Sequence, residues 1–320
     1  MKALNAGSNR VASLRRRWLV PDGRRRDGDR DKKSEAAEPK LLNWVDLPHW
    51  QQHGSELIHT GYRQASGSAL ECLKSWSYIH NETVNIYSHI LGAAVFFCLP
   101  VAIFAATIPP RLSEATHTEV LVCTIYLVGV AVCFVLSTCF HTFMSHSHHA
   151  YLLGMKLDFQ GILLLMWSST IPLIYHSFPC HPRLRMGYGI VTSILAVLCS
   201  AATFLPVFSS PHLGPYRALL FGSFGLGSFV APIAHGILLH GLETQGPRIG
   251  LGWIGATVVC NGLGVVAYTF KFPEKWFPRR FDFFGASHQI MHVMVVCAAL
   301  TYTMSMVEAF DFQHTHKLMC

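Results

Sequence analysis

Apolar residues crowd into seven stretches of about 18 or more positions that contain no Lys, Arg, Asp or Glu. They run roughly over 90–108, 120–141, 159–178, 186–208, 218–240, 249–270 and 285–307. Each is long enough for an α-helix to cross a bilayer's hydrocarbon. Pro172 and Pro232 fall inside two of them, which membrane helices tolerate when neighbours satisfy the freed carbonyls. A large soluble core is the competing explanation, but seven such runs with short links speak against it. The pattern therefore predicts an all-α membrane protein, a seven-transmembrane helix bundle over 90–307. A pre-membrane segment, 41–89, precedes it and a short C-terminal tail, 308–320, follows. In the former, "ALECLKSWSYIH" at 69–80 alternates Leu70, Leu73 and Trp76 with Glu71 and Lys74. That reads as a short helix lying on the membrane surface or packed against the bundle.

Composition agrees: 51% of the 320 residues are hydrophobic and 13% charged, about half the usual charged fraction. Residues 1–40 differ, with basic triplets at Arg15–Arg17 and Arg24–Arg26 among Gly, Asp and Lys. This tail is expected to be disordered, with anionic lipid as a natural contact. It has no apolar core of signal-peptide length, and nothing elsewhere in the chain supports nucleic-acid binding. Most cysteines (Cys98, Cys123, Cys133, Cys139, Cys199, Cys260, Cys297) sit inside the apolar runs, as small hydrophobes rather than a disulfide framework.

Lys and Arg are unevenly distributed between the two sets of links. The basic tail, Lys156, Arg217 and the link holding Lys271, Lys275, Arg279 and Arg280 share one side if the segments alternate. Arg111, Arg183, Arg185, Arg248 and Lys317 share the other. The excess predicts a cytoplasmic N-terminus and an extracellular or lumenal C-terminus. On that topology Asn81-Glu82-Thr83 faces the cytoplasm, so this glycosylation sequon reads as a chance match.

Ionisable groups at membrane depth are few, costly and tend to be functional. His141 closes the second segment, Asp158 opens the third, and His288 and His292 open the seventh. Even segments end, and odd ones begin, on the same side. All four residues therefore share one level near the cytoplasmic face. A lone histidine there is more often a hydrogen-bonded core residue. A pair four apart, with a third His and an Asp at the same depth, shifts the balance. Three neutral imidazoles with a fourth position open suit a catalytic zinc ion. Asp158 would hold or deprotonate its water, or else orient an imidazole. Ser137, one helical turn before His141, would bond that water or a substrate carbonyl, or simply a helix carbonyl. Asn85, Ser88 and His89 lie at the same level and support the site or fix where the chain enters the membrane. His146, His148 and His149 belong to a solvated loop. His235 and His240 bond locally, and His314 and His316 lie at the far end. No carboxylate falls in the outer half of any apolar run.

"HTGYR" at 59–63, "HNETVNIYSH" at 80–89, "STCFHTFMSHS" at 137–147, "LDFQGI" at 157–162 and "SHQIMHV" at 287–293 together resemble the progestin and adipoQ receptor family. That family includes adiponectin receptors and fungal zinc-homeostasis membrane proteins, within the wider haemolysin III group. The resemblance spans roughly 44–307. It implies a seven-helix bundle with its N-terminus in the cytoplasm and Zn2+ held near the cytoplasmic face. His141, His288 and His292 would be the ligands, Asp158 would hold the bound water and Ser137 would sit beside it. It also implies ceramidase-like hydrolysis of lipid amides, or hormone and steroid sensing, or a role in zinc and sterol metabolism.

Three functions follow as expectations. The first is a zinc-containing receptor in lipid and metal homeostasis signalling with intramembrane amide hydrolase activity. The second is a non-catalytic sensor with structural zinc. The third, least favoured, is a zinc transporter. The expected partners are the bilayer, a ceramide-like or sterol-like lipid, and a cytoplasmic signalling partner at the N-terminal region. The expected location is the plasma membrane or the endoplasmic reticulum.

Overall fold

The computed structural model describes residues 40–52, 56–103, 114–205 and 213–316. The basic tail to Pro39, Arg111, Lys317 and Cys320 lie outside them. Ten helices follow in order: α1 (Ala69–Lys74), α2 (Thr83–Val101), α3 (His117–Phe143), α4 (His148–Ser177), α5 (Pro182–Phe204), α6 (Gly214–Gly225), α7 (Ala231–His240), α8 (Leu242–Arg248), α9 (Leu251–Phe270) and α10 (Ser287–Thr315). A π-helical turn, Leu226–Val230, joins α6 to α7. Pro232 has no N–H to offer the Ser228 carbonyl four residues back, and the ladder widens there. Seven spans result: α2, α3, α4, α5, the joined α6–α7, α9 and α10. Among the described residues the β-structure is one isolated bridge, Leu42 to Tyr62.

The helices outrun the apolar stretches because their ends are capped by polar residues. Thr116 and Glu119 form a reciprocal capping box that starts α3 ahead of the apolar run. Ser147 accepts the Ala150 N–H and starts α4 at His148. Two readings change as a result. His148 and His149 are exposed residues of the first turn of α4, not of a loop. Glu119 becomes a buried carboxylate of the second span, paired with His314 Nε2 at 3.1 Å. The far end of the bundle thus carries a carboxylate, just ahead of the apolar run 120–141. The short segment at 69–80 does form a helix, α1, followed by a 3-10 turn, Ser75–Ser77. Cys72 is buried while Leu70 and Leu73 stay exposed.

α3 is the hub, packed along α2 and α4. Small residues let backbones approach, the usual device where lipid removes the hydrophobic drive between helices. A side chain at Gly161 would meet the Cys133 backbone of α3, and one at Gly129 would meet Ser168 of α4. Phe96, Tyr126, Leu127, Val130, Phe134, Tyr302 and Met306 fill the space between α2, α3 and α10. Apolar residues such as Val197, Leu238 and Val258 point outward, as lipid contact allows. Cys98, Cys123, Cys133, Cys139, Cys199, Cys260 and Cys297 are free. Cys180, in the α4–α5 link, is disulfide-bonded, so the absence of disulfides expected from sequence does not extend to it.

Candidate metal centre

His141 sits in the last turn of α3, and His288 and His292 face it from the first turns of α10. One ring nitrogen from each lies within 4.8 Å of the others. His141 and His292 are buried and His288 partly so. The ring centroids are 5.2 Å apart for His141 and His288, 4.6 Å for His141 and His292, and 4.8 Å for His288 and His292. The four-residue spacing on a helix supplies the α10 pair. The close contact of α3 with α2, and of α2 with α10, supplies the third ring.

The donor chemistry fits a cation. His141 Nδ1 lies 2.7 Å from Glu82 Oε2. A carboxylate accepts only, so Nδ1 carries the proton and Nε2 is left with its lone pair. His141 Nε2 is buried with no hydrogen-bond partner, as is His292 Nδ1. Buried polar atoms are rarely orphaned, and these belong to the rings that converge. A carboxylate behind a ligating imidazole is the arrangement that fixes its tautomer and raises its basicity.

Asp158, nearly three turns into α4, stands beside the Ser137 hydroxyl of α3 and close to the His141 ring. The five residues singled out in the sequence therefore lie at one end of the bundle. His89 is a sixth polar group here. Its ring stacks on His292 with centroids 4.1 Å apart, and both of its nitrogens are buried without a hydrogen-bond partner. Ser88 bonds its own helix through the Asn85 carbonyl. Two other histidines act elsewhere. His235 bonds Tyr188 Oη at 3.0 Å, and His314 bonds Glu119 at the opposite end.

Sequence reasoning missed Glu82, which was absorbed into a sequon. Its position immediately before an odd span puts it at the histidine level by the same parity argument, and that signal was available. Asn85 Nδ2 donates to it at 2.6 Å. Burial alone would raise its carboxyl, but the neighbouring His141 and His288 rings and the Asn85 amide outweigh it and hold it well below the usual carboxylate range.

The pre-membrane segment braces the centre. Arg63 is buried and caps the C-terminal carbonyls of α3. It donates to His141 O at 2.5 Å and Thr142 O at 2.9 Å, and also to Ser75 Oγ at 2.9 Å. Burial works to lower its pKa, while nearby Glu82 opposes that. Gln289, between the two α10 histidines, donates to Asn81 O and Phe283 O, both at 2.9 Å. It accepts from Gly285 N–H at 2.6 Å. Asn81 precedes Glu82, so one amide ties the carboxylate's turn to the helix that carries two of the rings. Gly61, at φ +90°, adopts a backbone that only glycine reaches readily. Its carbonyl accepts the Asn81 N–H at 2.9 Å.

Residues 77–303 match the haemolysin-III related family. The chain is 37% identical over 263 residues to the adiponectin receptor protein of Drosophila melanogaster, a match covering 82% of this chain and 58% of that protein. It is 33% identical over 281 residues to the ADIPOR-like receptor IZH2 of Saccharomyces cerevisiae, covering 86% of each. It is 31% identical over 307 residues to heptahelical transmembrane protein 3 of Arabidopsis thaliana, covering 85% of this chain and 88% of the relative. The seven spans, the end-on histidine centre and these matches agree: this chain is an integral, multi-pass membrane protein of the haemolysin-III related family, in its adiponectin-receptor-like, progestin and adipoQ receptor group.

Proposed function

We propose that the centre holds Zn2+ through His141, His288 and His292, and that the protein is a lipid-linked receptor which hydrolyses a ceramide-like lipid amide. The supporting observation is three converging imidazoles, two with orphaned buried nitrogens, beside an Asp–Ser pair that no ligand role consumes. A bound zinc ion would supply Lewis-acid polarisation of the amide carbonyl and activation of water. The other steps fall to the chain. Glu82 keeps the His141 lone pair aimed inward. Asp158 takes the proton of the attacking water and passes it to the departing amine. Ser137 O–H donates to the carbonyl oxygen as it gains charge.

The proposed orientation has the histidine end in the cytoplasm. The Lys and Arg asymmetry supports it. So does the Cys180 disulfide, in a link at the opposite end, since such bonds persist in oxidising compartments.

The deciding experiment is metal analysis of the purified protein coupled to a lipid-amide turnover assay. The wild type should retain zinc and release sphingoid base. Asp158→Asn should retain zinc and lose turnover. His288→Ala should lose both. Full activity in His288→Ala, or no release from any ceramide by zinc-loaded protein, would defeat the hydrolase reading. The relatives named as receptors favour a second reading, a non-catalytic sensor in which zinc only fixes α3 to α10. In that case Asp158→Asn would leave signalling intact.

A further inference from the structure

The α9–α10 link, residues 271–286, sorts its charges by direction. Both acids turn inward. Glu274, 2% exposed, accepts the Ser287 N–H at 2.8 Å and also the Ser287 hydroxyl. Asp282, 7% exposed, accepts the His59 N–H at 3.1 Å. The cations turn outward. Lys275, Arg279 and Arg280 are exposed and, among the described residues, have no ion-pair partner. The same link exposes Phe272, Trp276, Phe277 and Phe284, by 47%, 56%, 48% and 55%. Lys271 and Arg279 hold left-handed backbones at φ 55° and 65°, which side chains with a Cβ disfavour. The link leaves one span and enters the next, so this face lies at the membrane boundary. Half-exposed rings suit the headgroup region there, and unpaired cations beside them suit negative charge in the same plane.

We infer that this face is a binding surface for anionic phospholipid headgroups in the leaflet at the histidine end. The rings sit among the glycerol and upper acyl groups, and Lys275, Arg279 and Arg280 engage the headgroup phosphates and carboxylates. Charge complementarity favours this occupant over a soluble protein, because the link exposes four large rings and three cations and neither of its acids. Glu274 ties the same link to the first turn of α10, so a seated lipid would steady the helix that carries His288 and His292. The inference does not depend on the chemistry of the histidine centre.

The test uses the full-length protein in phosphatidylcholine bilayers doped with spin-labelled phosphatidylserine or spin-labelled phosphatidylcholine, reading which lipid populates the protein boundary. A basic residue near an anionic surface contributes about fivefold to association, so phosphatidylserine should be favoured several-fold and less so in high salt. The triple variant Lys275→Gln, Arg279→Gln, Arg280→Gln should lose that preference while keeping the wild-type metal content. The idea is overturned if the wild type shows no preference, which would leave the face to an acidic soluble partner, or if the preference survives in the triple variant. It is equally overturned if neutralising Arg15–Arg17 and Arg24–Arg26 to Gln, with the link intact, abolishes the preference instead.

Discussion

Glu82 offers a sharp test of the centre, because it touches a proposed ligand without being one. Its Oε2 lies 2.7 Å from His141 Nδ1, on a ring only 2% exposed. That is the length of a charge-assisted bond, roughly twice as strong as a neutral one. Loss of such a partner behind a ligating histidine weakens metal binding about 10–100-fold, or ~1.4–2.8 kcal/mol at 1.4 kcal/mol per tenfold. Glu82→Gln keeps the shape. It leaves a neutral oxygen as acceptor or, if the amide flips, an NH2 that imposes the wrong tautomer. A loss near tenfold is expected for Gln, and one nearer a hundredfold for Ala, which removes the acceptor altogether.

The assay is zinc competition against a chromophoric chelator, with purified protein in detergent. Melting of the chelator-stripped protein provides the control for folding. Zinc affinity should fall in both variants, while the stripped proteins differ from wild type by much less than the metal-loaded ones do. A mutant cycle adds specificity: in a His141→Ala background, Glu82→Gln should change affinity hardly at all, because the interaction it removes is already gone. If either Glu82 variant binds zinc within twofold of wild type, His141 is not oriented by this carboxylate. The tautomer argument for the centre then fails with it.

Other substitutions separate bracing from binding. Arg63→Lys cannot reproduce a fork that reaches two carbonyls and a hydroxyl, and loss of buried charged bonds should destabilise the protein by about 2–4 kcal/mol in denaturant or thermal melts. His80 is buried, and burial above all lowers its pKa from 6.5 to about 3, so it stays neutral; its Nδ1 accepts the Glu82 N–H at 3.1 Å. Only the unfolded chain takes up this proton between pH 6.5 and 3, so stability should fall as pH drops below 6.5. The fall from this residue should reach about 2 kcal/mol by pH 5, and His80→Asn, which keeps an acceptor and cannot titrate, should flatten that slope in melts against pH. Gly161→Leu drives a side chain into the Cys133 backbone and should lower thermal stability by about 1–3 kcal/mol as overpacking does, with α4 and Asp158 pushed away from Ser137 and turnover reduced at unchanged zinc content.

How much of this was legible in the chain depends on what kind of interaction each part rests on. The spans could be counted because hydrocarbon demands long runs without charge, a constraint written continuously along the sequence. Their ends could not, because Thr116, Glu119 and Ser147 close them with polar caps that such a count rejects. The His288 and His292 pair follows from helical spacing alone. His141 and Asp158 follow from parity, which turns order along the chain into depth in a membrane. Parity gives the depth of Glu82 as well, but not the residue it will meet. Glu82 meets His141 across 59 positions, and Asp282 meets His59 across 223. Nothing local distinguishes a carboxylate that will face a histidine from one that will face water. Arg63 is the instructive case. In the sequence it is one more cation in a pre-membrane stretch; in the fold it is 5% exposed and holds the carbonyl of a proposed zinc ligand. A buried guanidinium is tolerable only where acceptors are already fixed, here the unsatisfied last carbonyls of α3. The ligand residues thus follow from one-dimensional spacing, whereas their alignment depends on the pre-membrane segment folding back onto helix ends. For that reason Arg63 and Gln289 variants should impair the centre even though neither side chain reaches the metal.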